Sequence, residues 1–278
     1  AESSAFVAES DALREPIHST DFQKYAYTGS ENKRLIWPYN SNYTLLSESE
    51  FQNKYPNTWD YLTRHRVSLE DRADYREWYG YSAPRNLETH DGAEILIPLL
   101  ADGPSFAEYP RPQSDYILMA SGGFSISLNP KSDYSRNYIL ALINSKLLFM
   151  CLQSISNVFR GGYITCTKQY FERLPIKKIE FKTPSDKRDK LVQEAVSEYV
   201  GEENIDSQLL DFVKGRIENY TPRDDVVHDL LSHLANETAN LRKQTAEYNL
   251  TLQDHLGSYS DGQTLADIGL TQPPKGSA

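Results

Sequence analysis

Sulfur and long apolar runs are what this 278-residue chain has least of, with two cysteines and two methionines. Cys151 and Cys166 are too few for a disulfide framework. No second Cys or His stands beside them at CxxC or HxxxH spacing, which excludes a metal-ligand pair, and buried free thiols in a cytoplasmic protein are expected. No run reaches the 18 or so apolar residues a membrane-spanning helix needs, so no membrane association is expected. The opening segment, AESSAFVAESDALREP, has neither the basic nor the apolar region of a signal peptide, and its start on Ala1 reads as a trimmed chain.

Catalytic signatures are missing too. There is no GxxxxGK phosphate loop, no GxGxxG and no GxSxG. An adenine methyltransferase needs an Asn/Asp-Pro-Pro-Tyr/Phe motif, whose Asn and Pro carbonyl hold the target amine while the aromatic ring stacks on the flipped base. Trp37-Pro38-Tyr39-Asn40 has the wrong order and no carboxamide at its front. A nuclease carboxylate pair would carry a lysine two positions on, which Glu94-Ile95-Leu96 lacks. The six histidines are scattered, and His228 and His233 stand at i, i+5, which does not face one metal. Each is expected to be an ordinary surface or helix residue. No catalytic residue, cofactor site or metal site is therefore assigned to this chain.

A net charge of −10 argues at first against nucleic acid, but its distribution matters more. Residues 1–183 carry 20 Lys+Arg against 22 Asp+Glu, and residues 184–278 carry 9 against 17. The front is near neutral and can present a basic face.

Four segments emerge. Residues 1–32 read as a lead-in. Residues 33–183 mix short strands and helices. KRLIWPY (33–39) is a strand stopped by Pro38, and Ser47 with Glu50 forms a capping box ahead of a helix. A second helix is predicted over 57–65, a short apolar strand run over 93–100, and two strands around a Gly122-Gly123 hairpin turn. One helix is predicted over 135–154, with Ile139, Leu142, Ile143, Lys146, Leu147 and Met150 at helical spacing. Residues 184–260 turn to helices, and Thr221-Pro222-Arg223-Asp224 starts the last and longest. There Val227, Leu231, Leu234, Thr238, Leu241, Thr245, Tyr248 and Leu252 form a weak heptad seam. It suits a partner helix or a helix lying on the chain's own domain equally well. Residues 261–278 read as a frayed tail. The fold class expected is α+β: a mixed α/β domain followed by an α-helical segment with a long helix.

The most informative stretch is 144–176, NSKLLFMCLQSISNVFRGGYITCTKQYFERLPI. A helix opening Asn-Ser-Lys-Leu, an aromatic-glycine loop, and a lysine with aromatics closing on Leu-Pro-Ile resemble the end of the TaqI-like C-terminal specificity domain. That domain is the target-recognition part of adenine-specific DNA methyltransferases and of type IIG restriction-modification enzymes. Ile36-Trp37-Pro38-Tyr39, Leu69 to Arg72 ahead of Trp78, Pro84-Arg85 and the strand at 94–98 follow in the same order, so the likeness spans about 30–178.

The resemblance implies a DNA-binding fragment. It would read duplex DNA for an upstream methyltransferase domain of the same polypeptide, which would bind S-adenosylmethionine. The parent would serve DNA methylation in restriction-modification or phage defence, with or without a nuclease. From the residues, Arg160, Gly161, Gly162 and Tyr163 are DNA-contact candidates, because two glycines let a backbone approach closely and Arg can pair with guanine or phosphate. Thr165, Lys168 and Tyr170 lie just beyond, and Tyr79, Tyr81 and Arg85 form a second candidate patch. Asn144-Ser145-Lys146 is weighed towards helix packing and capping rather than base reading. The competing reading is a protein-interaction scaffold, using the acidic helices for self- or partner association.

Overall fold

A computed structural model gives the fold and describes residues 6–29, 33–82, 84, 87–119, 122–199, 205–218 and 222–258. Strand β1 (Leu13–Ile17) and the two-residue β2 (Leu35–Ile36) come first. Helices α1 (Glu48–Lys54), α2 (Pro56–Arg64) and α3 (Arg66–Glu70) follow. The Ser47 hydroxyl accepts from the Glu50 amide while the Glu50 carboxylate accepts from the Ser47 amide, the capping box that the sequence predicts.

Helix α2 opens on Pro56, which has no N–H to leave unpaired. Glu9 serves its next amides. The carboxylate accepts from Asn57 N at 2.9 Å, Thr58 N at 3.0 Å and the Thr58 hydroxyl at 2.6 Å. Burial pushes the Glu9 carboxyl up, but these donors outweigh it and lower the pKa from 4.5 to about 2. A pKa depressed by folding contributes stability above the unfolded value, lost as pH falls through the folded one. Glu9→Gln should therefore cost about 1 kcal/mol at neutral pH and flatten the stability profile between pH 4.5 and about 2. Urea melts of both proteins across that window check it; parallel profiles would refute it.

Five strands come next: β3 (Ile95–Ile97), β4 (Leu100–Ala101), β5 (Ala107–Glu108), β6 (Tyr116–Leu118) and β7 (Phe124–Ile126). One sheet has the order β2-β1-β6, with β1 antiparallel to β2 and parallel to β6; a second has β5-β3-β7, all antiparallel. The hairpin expected at Gly122-Gly123 does not form, because β6 and β7 belong to different sheets. The glycines are needed for another reason. A Cβ on Gly122 would stand 2.5 Å from the Ile17 carbonyl oxygen, and one on Gly123 2.0 Å from that of Ile97. The chain squeezes between two strand ends as it changes sheet.

All three β3 residues are buried, and strand alternation sends them to two different cores. Ile95 and Ile97 join Phe106, Leu140, Phe149, Leu152 and Ile164. Leu96 joins Ile17, Phe22, Tyr27, Tyr109 and Leu118 on the other face. This is why the sequence shows a continuous apolar run here rather than alternation.

The single helix predicted over 135–154 is two, α4 (Arg136–Ile143) and α5 (Lys146–Ile155), bent by 66°. Ser135 caps α4 and Ser145 caps α5. At the bend Asn144 is fully buried. Its amide donates to the Phe106 carbonyl at 2.8 Å and the Leu140 carbonyl at 3.1 Å, and its oxygen accepts from Phe106 N at 3.2 Å. The break resets the helical phase, so Leu148, Phe149 and Leu152 turn inward. Leu147 and Met150, counted with the buried stripe in the sequence, face solvent at 71% and 56% exposure. Strand β8 (Ile164–Thr165) then pairs antiparallel with β4, and α6 (Lys168–Phe171) follows.

Helices α7 (Ser185–Tyr199), α8 (Ile205–Ile217) and α9 (Asp224–Ser258) complete the described chain. Thr221 and the tail 261–278 lie outside the described residues. The buried line of α9 is Asp225, Val226, His228, Leu230, Ala235 and Ala239, not the heptad seam. Val227, Leu231 and Leu234 are half-buried, Leu241 and Tyr248 are exposed, and the side chain of Leu252 lies outside what is described. Small residues at 232, 235 and 239 let α9 lie along α4, with Ser232 meeting the Ser135 hydroxyl at 2.5 Å and Asn236 meeting Asn137. Leu230 fills the cluster with Val192 and Ala195 of α7.

His228, expected to be an ordinary surface or helix residue, is buried among Tyr134, Tyr138 and Phe181. Its Nε2 accepts from Ser135 N at 3.0 Å and its Nδ1 stands 2.7 Å from Asp229, which also takes Arg188 at 2.6 Å. That pattern fixes the neutral tautomer with the proton on Nδ1. Burial tends to raise the Asp229 carboxyl, but His228 and Arg188 together bring it below the usual range. The buried Asp225 carboxylate accepts from Lys182 N, Thr183 N and the Thr183 hydroxyl. The fold is thus α+β, with the helical segment packed onto the sheet region. Among the described residues, no single helix is long and apolar enough to cross a membrane.

Candidate nucleic-acid interface

Residues 157–164 form a tight hairpin. Val158 bridges Ile164, the Phe159 amide donates to the Tyr163 carbonyl at 2.7 Å, and the Thr165 amide donates to the Asn157 carbonyl at 3.0 Å. The tip is Arg160-Gly161-Gly162. Both glycines are left-handed, at φ 78° and 82°, a conformation that costs an L side chain roughly 1–2 kcal/mol. Nothing lies within 4 Å of a Cβ built on Gly162, so the tip backbone is open to an approaching molecule. Arg160 is exposed, as are Val158, Phe159 and Tyr163 at 67%, 55% and 40%.

Electrostatics favour the same region. Between residues 144 and 178 stand six Lys/Arg (Lys146, Arg160, Lys168, Arg173, Lys177 and Lys178) and one carboxylate, Glu172, in a chain whose net charge is −10. Lys168 is 85% exposed and pairs with Glu172 at 3.3 Å, and Lys177 pairs with Asp224. Among the described residues, Lys146, Arg160 and Arg173 make no ion pair. The stretch carries surplus positive charge on solvent-facing stems, which suits a polyanion.

The sequence candidates divide sharply here. Arg160, Gly161, Gly162, Tyr163 and Lys168 are exposed on the hairpin and on the helix that follows β8. Thr165 is half-buried in β8, with its hydroxyl 3.4 Å from the Asn157 carbonyl. Tyr170 is buried in the main core. Tyr79 is buried too, donating its hydroxyl to the Leu46 carbonyl at 2.6 Å and stacking on Phe51. Tyr81 donates to the Ile36 carbonyl at 2.7 Å, and burial raises its hydroxyl far above the ordinary phenol range. These three tyrosines belong to three separate hydrophobic clusters, so they form no common patch. Arg85 lies outside the described residues.

Sequence reasoning included Phe159 in the loop but missed the exposure of Val158 on the hairpin and of Leu147 and Met150 on α5. The signal was available in Asn144-Ser145, a capping pair that breaks the helix and turns those positions outward. Cys166 is buried, its thiol pushed up to about 12 by burial, and Cys151 is half-buried; both are free. Among the described residues no cluster of His, Cys, Asp or Glu could hold a metal ion.

No family model matches the chain. Over 190 residues it is 26% identical to the type II restriction enzyme and methyltransferase RM.Eco57I of Escherichia coli. The match covers 62% of this chain and 19% of that protein, so the chain spans about a fifth of the relative's length.

Proposed function

We propose that this chain is the target-recognition fragment of an adenine-specific DNA methyltransferase of the restriction-modification type. It binds duplex DNA through the 157–164 hairpin, while a catalytic domain elsewhere in the same polypeptide transfers the methyl group. The observation that carries this reading is the hairpin tip: an arginine followed by two left-handed glycines, hydrogen-bonded into one shape and projecting from a cationic stretch. Two features support it, the similarity to a restriction enzyme and methyltransferase and the order of motifs from 30 to 178. A rigid tip suits groove reading, with Arg160 towards a guanine edge or phosphate and Lys168 towards the backbone. Phe159 and Tyr163 present ring surface beside it.

S-adenosylmethionine belongs to the catalytic domain in this reading.

The test is fluorescence anisotropy of the chain with a random-sequence duplex at about 50 and 200 mM salt, with and without Arg160→Ala and Lys168→Ala. Binding should weaken steeply with salt. The double variant should lose roughly tenfold in affinity and about two units of salt slope, one per cation removed. Unchanged binding in the variant would remove the hairpin from the interface. No binding at either salt, by folded protein, would remove the function.

A second reading rests on one observation: Leu241 and Tyr248 are 60% and 77% exposed on the outer half of α9. They would seat a partner helix. Leu241→Asp with Tyr248→Asp should then convert a dimer to a monomer in sedimentation velocity, and a wild-type monomer would dispose of self-association.

A further inference from the structure

A cleft of about 490 Å³ opens between β2, the loop after it, the end of α1 and the segment leading into β6. That volume lies within the ~300–1,000 Å³ range of small-ligand sites. Its floor is aromatic: Trp37 and Tyr39 are buried with ring centroids 5.0 Å apart, and half-buried Tyr43 and Tyr116 form walls. Two cations line it. The Arg14 guanidinium lies 5.9 Å from the Trp37 ring, and the Lys54 ammonium lies 5.0 Å from the Tyr55 ring. Arg14 donates to the Leu13 and Asp11 carbonyls, and among the described residues neither cation is ion-paired. Asp11 and Asp115 stand on the rim as acceptors.

One wall is set in an uncommon backbone. Tyr43 has φ 59°, a left-handed conformation unfavourable for a bulky residue. Asn40 holds it there. Its side-chain oxygen accepts from Asn42 N at 2.9 Å and Thr44 N at 3.0 Å, and its carbonyl accepts from Tyr43 N at 3.0 Å. The turn thus fixes an aromatic ring at the mouth of a cleft that already has an aromatic floor.

We propose that this cleft holds one nucleotide unit, its base against the Trp37–Tyr43 wall and its phosphate towards Arg14 and Lys54. A nucleotide combines the three features the lining selects: a planar π-face, an anion, and amino donors on the base edge for Asp11 and Asp115. A neutral sugar would leave the cations unanswered, and a bare phosphate would leave the rings unanswered. The nucleotide comes either free or as an unpaired nucleotide of a DNA strand. The cleft shares no residue with the 157–164 hairpin, so this inference stands apart from the duplex-binding reading.

The test has two arms, both on the full chain. In the first, amide chemical shifts of Trp37 and residues 40–44 are followed during separate titrations with 5′-dAMP, 2′-deoxyadenosine and inorganic phosphate. The nucleotide should saturate, with nucleoside and phosphate each at least about tenfold weaker, the loss of one good contact being ~1.4 kcal/mol. In the second, a duplex with one bulged adenine is compared with the perfect duplex by anisotropy; the bulge should bind about tenfold tighter. Lys54→Ala, at an exposed position, should weaken whichever ligand binds by about fivefold. Tyr43→Asn should do the same by removing the ring while keeping a residue that tolerates the left-handed turn. Saturation by dAMP without bulge preference identifies free nucleotide, and bulge preference identifies DNA. If dAMP shifts no cleft amide saturably and the bulge brings no gain, the proposal falls, whatever the perfect duplex does.

Discussion

Gly123→Ala should leave the protein without a cooperative fold. An added Cβ would sit 2.0 Å from the Ile97 carbonyl oxygen, 3.0 Å from its carbon and 3.1 Å from Pro98 Cα, all of them backbone. The φ of 128° is itself closed to an L side chain at low cost. No rotamer relieves the clash. Ile97 is held in register with Phe124 by the β3–β7 ladder, and β3 is buried on both faces. Moving it disturbs the two cores it divides. A cost above about 4 kcal/mol takes most of the 5–15 kcal/mol that holds a typical domain together. The expected result is loss of near-ultraviolet circular dichroism and of a thermal transition. Gly103→Ala is the internal control. Nothing lies within 4 Å of its Cβ, and its stability should change by no more than about 0.5 kcal/mol. A Gly123→Ala protein melting with the wild type would show that the crossing is looser than drawn.

Asn144→Leu should destabilise the fold markedly while leaving backbone geometry alone. Leucine is close in volume and fills the space, so no cavity term enters. What is lost is the one partner of the buried Phe106 amide and one of the two donors to its carbonyl, which keeps the Tyr25 amide at 2.9 Å. The orphaned amide costs roughly 1–3 kcal/mol and the weakened pairing of the carbonyl adds to it, for a loss of about 2–4 kcal/mol. Chemical denaturation measures it as a fall in midpoint at constant slope. A loss under about 1 kcal/mol would mean that water or another donor replaces the amide.

These two positions bear on what the sequence made legible. The residues carrying the family resemblance turn out to be those holding the frame. Asn144 and Ser145 stitch and cap the bend. Arg72, standing before Trp78, donates to the carbonyls of Leu69, Trp78 and Gly80 and staples that loop. Trp78 itself donates to Glu48. Such roles leave strong local spacing, so the Ser47 cap and the mixed α+β character could be read from one chain, while the order of the strands could not.

The candidate site was legible only in part. Arg160-Gly161-Gly162 announced a tight turn, and the tip is exposed. Whether a tyrosine is wall or surface is not written in its neighbours: Tyr79, Tyr81 and Tyr163 look alike in sequence, and long-range packing alone separates them. The nucleotide cleft was illegible for the same reason. Arg14, Trp37, Lys54 and Asp115 stand up to 101 positions apart and meet only through the β2-β1-β6 sheet and the α1 helix that packs beside it. The heptad seam of α9 left the chain's own domain and a partner helix equally open, because alternating apolar spacing marks any amphipathic face. Alanines and a serine, which carry little hydrophobic signal, chose the face that α4 covers.

The Glu108 carboxylate bears on how such chains exchange parts during evolution. It is 7% exposed on β5 and is paired with Arg136 at the start of α4 and with Lys243 far along α9. Swapping the strand region between relatives at the change of composition near Pro184 would bring in a foreign α9. Unless that helix carried its own cation opposite the acid, a buried carboxylate would lose one of its two countercharges. Recombination should therefore transmit the strands and the long helix together, inherited as one unit despite their contrasting composition.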